Sequence, residues 1–311
     1  MHDRDCLHRF MFEQYPIRGH LVHLDAAWRA LIEHRDYPAA IRDTLGEAVA
    51  ASLLLAATVK FDGVLSLQLQ GDGPVHLMLA QCTDSLGVRG LARYREGVPT
   101  GAGTDAAADA EGIADLIGAG NLTVTLETDD GAQRYQGIVP IAGRRLAESL
   151  QVYFENSEQL PTRLWLHADA FGASGMLLQK LPAADAPTGA AGMDAAAVED
   201  AWRRVQLIGE TLTPEELQTL ADTEILHRLF NEDDIRLFEP APVYFRCRCS
   251  RERVSRMLQA LGDAETRSVL AERGEVEVRC DFCNRAYVFD AVDVAQLFNA
   301  GVASDSGSSV H

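Results

Sequence analysis

The sequence predicts an α+β protein, with an N-terminal domain of mixed sheet and helix, a helical linker region and a small C-terminal domain. Three observations lead there. Period-2 alternation of apolar and polar residues recurs before Pro182, beside one Ala/Leu-rich stretch that is apolar around most of its circumference. The composition then turns to Ala, Pro, Gly and Asp between Leu181 and Ala197, with almost nothing large to bury. Beyond it stand two close thiol pairs, Cys247-Arg248-Cys249 and Cys280-Asp281-Phe282-Cys283. Four soft thiolates at that reach match what a tetrahedral zinc ion needs, so the last domain is read as zinc-binding. The expected boundaries are 1–182 for the first domain, 183–238 for a flexible linker with short helices, 239–300 for the zinc-binding domain and 301–311 for a disordered tail.

Along the first domain, Phe10, Phe12 and Tyr15 suggest an opening strand and Gly19 to Leu24 another. Pro38, placed to start a helix at its first turn, opens the Ala/Leu-rich stretch that runs to Lys60. Leu65, Leu67 and Leu69 alternate with Ser66, Gln68 and Gln70. Gly71-Asp72-Gly73-Pro74 turns the chain, and Val75, Leu77 and Leu79 resume the alternation. Leu122, Val124 and Leu126, the turn Asp130-Gly131 and Tyr135 to Val139 repeat this hairpin signal. Gly101 to Gly112 reads as a mobile loop. Leu146, Leu150, Tyr153 and Phe154 share a helical face, and Leu164, Leu166 and Met176 to Leu178 supply further strands.

In the linker, Trp202, Val205 and Ile208 mark a helix. Thr213-Pro214-Glu215-Glu216 reads as a capping box with proline at the first helical position, and Thr223 to Phe230 as another short helix. In the last domain, helices are expected from Ser250 to Gly262, over Ala264 to Glu272 and over Val292 to Phe298. Strands are expected at Val276–Val278 and Ala286–Phe289.

Composition narrows the function classes. A 47% hydrophobic content can build a sizeable core. The net charge of -18 argues against broad nucleic-acid binding and favours a self-repelling, soluble chain. No secretory signal pattern opens the sequence, and the longest uncharged apolar run, Ala48 to Val59, is shorter than the ~20 residues of a membrane span. The expectation is a cytoplasmic protein without membrane or nucleic-acid partners. In a reducing compartment, clustered cysteines read as metal ligands or redox centres, whereas Cys6 and Cys82 read as small buried hydrophobes.

Cys247, Cys249, Cys280 and Cys283 are the candidate ligands of one zinc ion in the reduced state. The first pair has one intervening residue where a zinc ribbon has two. Either pair is close enough in sequence to form its own disulfide, and the ring across Arg248 would be small, strained and easily reduced. Arg246, Arg248, Arg251, Arg253 and Arg256 surround the first pair; they fit either an activating cationic environment or an ordinary solvated helix face. His20 and His23 lie in a strand-like pattern and are not expected to share a ligand. Gly71-Asp72-Gly73 reads as a turn, and Asn156-Ser157-Glu158-Gln159 as a helix end or a core hydrogen-bond network. No phosphate loop, dinucleotide fingerprint or His-Glu-x-x-His appears, so no catalytic residues are assigned.

The whole chain resembles the heat-shock protein 33 family of redox-regulated bacterial chaperones. The resemblance rests on Arg9-Phe10-Met11-Phe12, Arg18-Gly19, Tyr37-Pro38, Leu45-Gly46-Glu47, Gln68 to Pro74, Tyr135 to Val139, Ser157 to Thr162, and Phe245 to Arg253 with Cys280-Asp281-Phe282-Cys283. It departs at Ala173-Ser174-Gly175, where a more glycine-rich turn is expected, and in a longer Ala/Pro-rich stretch. The resemblance implies a non-enzymatic, ATP-independent holdase that is inactive when reduced and zinc-bound. On oxidation the disulfides implied are Cys247–Cys249 and Cys280–Cys283, with zinc release and loss of order in the linker. The implied partners are unfolding client proteins, a second copy of the chain when oxidised, and ATP-dependent foldases that receive clients on reduction. The resemblance does not assign client-binding residues. Two other readings remain: a thiol–disulfide oxidoreductase using Cys280 and Cys283, and a zinc-ribbon nucleic-acid module.

Overall fold

A computed structural model describes residues 4–95, 112–128, 131, 134–185, 187–190 and 192–299. The expected tail, Asp130 and nearly all of the expected loop from Gly101 lie outside the described residues. The architecture is mixed α and β, as the sequence predicts, and the chain divides into two compact units, Met1–Arg246 and Cys247–His311.

The first unit runs β1 Cys6–Phe12, β2 Ile17–Leu24, α1 Ala26–Ile32, α2 Ala39–Thr58, β3 Gly63–Gly71, β4 Val75–Thr83, β5 Gly87–Tyr94, α3 Ile113–Ile117, β6 Gly120–Thr128, β7 Arg134–Pro140, α4 Leu146–Tyr153, β8 Thr162–Ala168, β9 Ala173–Lys180, α5 Ala195–Gly209, α6 Pro214–Thr219, α7 Asp222–Phe230, β10 Ile235–Leu237, β11 Ala241–Pro242 and β12 Tyr244–Phe245. One sheet has the order β10-β1-β2-β9-β8, with β11 also on β1; the other is β12-β5-β4-β3-β6-β7. Every pairing in them is antiparallel except β12 with β5. The alternation read in the sequence sets these registers. Leu65, Leu67 and Leu69 are buried facing α2, while Ser66 and Gln68 of the same strand are only half-buried.

Helix α2 is apolar around its circumference because it lies between the two sheets, against β2, β8 and β9 on one side and β3, β4 and β5 on the other. The first sheet is buried on both faces. On β2, Val22 and Leu24 face the α2 side, while Ile17 and Leu21 face a second cluster. On β9, Leu177 faces the first and Met176 and Leu178 the second. Successive side chains of a strand point to opposite faces, so a run such as Met176-Leu177-Leu178 demands cover on both sides.

The cover on the second face comes from the stretch expected to be a linker. Trp202 and Val205 of α5, Leu217 of α6, and Ile225, Leu229 and Phe230 of α7 pack against Phe10, Phe12, Ile17, Leu21, Met176 and Leu178. Phe12 and Phe230 meet edge to face at 5.1 Å between ring centroids. The local signals hold: Asp194 caps α5, and Thr213 and Glu216 form the capping box of α6. Compactness places 183–238 within the first unit and divides the chain at Arg246, where the sequence expectation began a domain at 239. The residues between α7 and Cys247 are tied to both sheets. Phe238 N donates to Arg9 O and Val243 N to Asp5 O, while Arg246 N donates to Val88 O.

The second unit contains α8 Arg251–Leu261, α9 Asp263–Arg273, β13 Val276–Arg279, β14 Ala286–Phe289 and α10 Ala291–Asn299. Its core is small: Val254, Leu258, Val276, Tyr287, Phe289 and Val294.

Candidate metal centre

The four cysteines sit on two segments of the second unit. Cys247 and Cys249 lie just before α8, whose N-cap Ser250 accepts from Arg253 N through Oγ at 3.2 Å. Cys280 and Cys283 lie at the turn of the β13–β14 hairpin. Asn284 N donates to Cys280 O at 2.8 Å, Cys280 N donates to Arg285 O at 3.0 Å, and Asn284 takes the left-handed conformation at φ +54°. That turn folds Cys283 back toward Cys280, and the cap holds Cys249 at the helix start.

The sulfurs converge across the two pairs. Cys247 Sγ is 3.5 Å from Cys280 Sγ, and Cys249 Sγ is 3.4 Å from Cys283 Sγ; all four lie within 4.8 Å of one another. A zinc ion with Zn–S bonds of ~2.3 Å has S–S edges of about 3.8 Å. The two cross-pair edges are a few tenths of an ångström shorter than those of a zinc tetrahedron, and the donor set suits that ion.

The thiols differ in acidity. Burial pushes Cys247 upward, and it pushes Cys283 upward too. For Cys249 burial acts the same way, but the hydroxyl of Tyr287, donating at 3.1 Å, and bonds from the other three thiols outweigh it and bring the group to about 7. Two of the arginines near the first pair are engaged elsewhere in the unit. Arg251 binds Val288 O, pairs with Asp293 at 2.7 Å and lies over the Phe289 ring, and Arg253 donates to Arg248 O. These side chains brace the unit and so fit the helix-face reading better than the activating one.

Elsewhere, Cys82 is fully buried, and burial raises its thiol to about 12, as befits a core residue. Asp72 accepts from Ala119 N and makes Gly71–Gly73 a turn. Glu158 accepts from the Tyr153 hydroxyl at 2.8 Å, so that segment is part of a hydrogen-bond network. His20 and His23 are both buried in β2. The sequence reading missed a second cluster, in which Cys6 and His8 of β1 meet Asp222 of α7. The signal was present in Cys6 and His8, polar-capable residues two apart on a strand and therefore on one face.

Among the described residues, no helix is long and apolar enough to cross a membrane.

A family model described as Hsp33 protein matches residues 5–290. The 33 kDa chaperonin of Nitrosococcus oceani is 47% identical over 311 residues, covering 100% of both chains. That of Methylobacillus flagellatus is 44% identical, covering 96% of each. The crystal structure of the 33 kDa chaperonin (heat shock protein 33 homolog) of Thermotoga maritima has the same fold, with a TM-score of 0.79 at 22% identity, over 97% of this chain and 100% of that one. On the family match and on identity across the full length, the chain belongs to the Hsp33 protein family.

Proposed function

We propose that the protein is a redox-regulated, ATP-independent holdase of the cytoplasm, with Cys247, Cys249, Cys280 and Cys283 as its switch. The observation that carries this reading is the apolar face of the first sheet beneath α5, α6 and α7. Phe10, Phe12, Ile17, Leu21, Met176 and Leu178 form a contiguous surface suited to unfolded chains, and all are buried in this state. Helices α6 and α7 are 6 and 9 residues long, below the ~12 at which an isolated helix becomes even marginally stable. Their order depends on packing, so loss of neighbouring support would uncover the face.

Bound by the four thiolates, zinc would cross-link the two cysteine pairs and hold together a unit whose apolar core is too small to stand alone. Oxidation of Cys247 with Cys249 and of Cys280 with Cys283 forms two S–S bonds and passes two electrons per bond to an oxidant. With hypochlorous acid the products are chloride and water. Paired sulfurs can no longer serve as thiolate ligands. The second unit then loses its fold, α5 to α7 lose order, and client proteins bind the exposed face, with a second copy of the chain as an added partner. Reduction reverses the steps and hands clients to ATP-dependent foldases.

The test treats the reduced, zinc-loaded protein with hypochlorous acid. Zinc release, disulfide-mapped peptides and suppression of citrate synthase aggregation are followed together. The expectation is concerted change, with Cys247–Cys249 and Cys280–Cys283 peptides. Equal suppression before oxidation, with zinc retained, would sink the switch. Cross-paired Cys247–Cys280 peptides would overturn the pairing.

A further inference from the structure

We propose that Cys6, His8 and Asp222 hold a second divalent cation of the zinc type, which fastens α7 to β1. The three residues come from opposite ends of the first unit. Cys6 and His8 are two apart on β1 and face the same way, and Asp222 is the first residue of α7. All are buried, at 5%, 9% and 7% exposure, and their donor atoms lie within 4.8 Å of one another. A thiolate, an imidazole and a carboxylate are three donors of the kinds that zinc takes.

The distances fit with one adjustment. Cys6 Sγ is 3.7 Å from His8 Nδ1, which matches the edge of about 3.5 Å between sulfur and nitrogen ligands of one zinc ion. His8 Nδ1 is 2.5 Å from Asp222 Oδ2, the separation of a hydrogen bond. Replacing that bridging proton by a cation would open the edge by roughly 0.8 Å and release the proton, as metal binding to imidazole and thiol does. The carboxylate is already aimed. His23 Nδ1 pairs with Asp222 Oδ1 at 2.7 Å while His8 meets Oδ2, so an imidazole fixes each oxygen of the carboxylate. His23 is itself held, with Nε2 donating to Leu217 O of α6 at 2.6 Å. Arg4, donating to Gln218 O and Thr219 O, secures the same end of α6. The carboxylate is thus held in place beside the Cys6 thiol and the His8 imidazole, the three donors a cation would share.

Such a cation would bind the docked α7 and not the released one. It would shift the equilibrium toward docking by the factor 1 + [M]/Kd. The site is separate from the four-cysteine centre and does not require the redox reading.

The test counts metal in the reduced full-length chain, stripped with a chelator, refilled with excess Zn²⁺ and desalted. Two zinc ions per chain are expected for the wild type and for Cys82→Ser, and one for Cys6→Ser and for Asp222→Asn. Cobalt(II) gives an independent readout on the wild type. A second equivalent should bring its own, weaker thiolate-to-cobalt charge-transfer band, one thiolate against four. That readout decides the matter even if a variant fails to fold. Saturation at one ion per chain, or two ions persisting in both Cys6→Ser and Asp222→Asn, overturns the proposal. A single ion lost on oxidation of the four cysteines would leave the redox reading standing and this one refuted.

Discussion

Truncating Trp202 to alanine should open the hidden face without any oxidant. Trp202 is 3% exposed and sits in the cluster where α5 to α7 meet the first sheet. Truncations of this kind cost about 3–5 kcal/mol through lost burial and the cavity left behind. The sheet side of the cluster keeps all its own residues, and α5 is a 15-residue helix that is marginal by itself, so the cost falls on docking. At the lower bound, ~3 kcal/mol raises the undocked population roughly 150-fold. In the reduced, zinc-loaded variant, amides of α5 to α7 should exchange about 100-fold faster while those of α2 are unchanged. Binding of a hydrophobic dye and suppression of citrate synthase aggregation should both rise. Faster exchange in α5 to α7 with aggregation suppression no better than wild type would refute the reasoning, because the face would be exposed and clients would not use it.

Three further outcomes are expected. Gly19 lies directly under the Phe10 ring, and a methyl there would overlap it; Gly19→Ala should cost about 1–3 kcal/mol, read as a lower calorimetric midpoint of the reduced protein. Chelation of the reduced protein should abolish amide protection in α8 to α10 and leave α2 protected, since among the described residues the buried core of the second unit is small, Val254, Leu258, Val276, Tyr287, Phe289 and Val294. Glu47 lies at a cavity of about 530 Å³ shared with Arg145 and Leu217, and burial raises its carboxyl to about 7 against the pull of Arg145. The folded state therefore keeps a proton that the unfolded chain gives up near pH 4.5, and stability falls as pH rises from about 4.5 to 7. A fully enclosed group shifted this far would account for about 3 kcal/mol, and contact with the cavity brings that to roughly 1–2. Glu47→Gln should flatten the slope of the urea midpoint between pH 5 and 8.

The clustering of the four cysteines was legible because each pair is close in sequence, and only the meeting of the two pairs needed the fold. The alternating strands β3, β4, β6 and β7 and the all-round apolar α2 were legible for the same reason, since their patterns are local. Strand β5 was not, because Gly87 and Gly90 break its alternation. Strands β10, β11 and β12 are two or three residues long and exist only through their partners β1 and β5. The Ala/Pro-rich stretch after Leu181 has the composition of a boundary, yet the chain beyond it returns to the same body. The reason lies far away, in the second apolar face of β2 and β9. The cluster at Asp222 was invisible for a similar cause, since 214 residues separate it from His8.

The doubly buried sheet also constrains how the protein can evolve. If clients use Phe10, Phe12 and Met176, they compete with the molecule's own helices, which are tethered to that surface at an effective concentration in the millimolar range. A substitution that makes the face stickier tightens the internal competitor along with the external one. Client affinity is therefore hard to raise at the sheet alone. The readily tuned side is the helices, where weakening Trp202 or Phe230 leaves the shared surface unchanged and alters only how readily it is vacated.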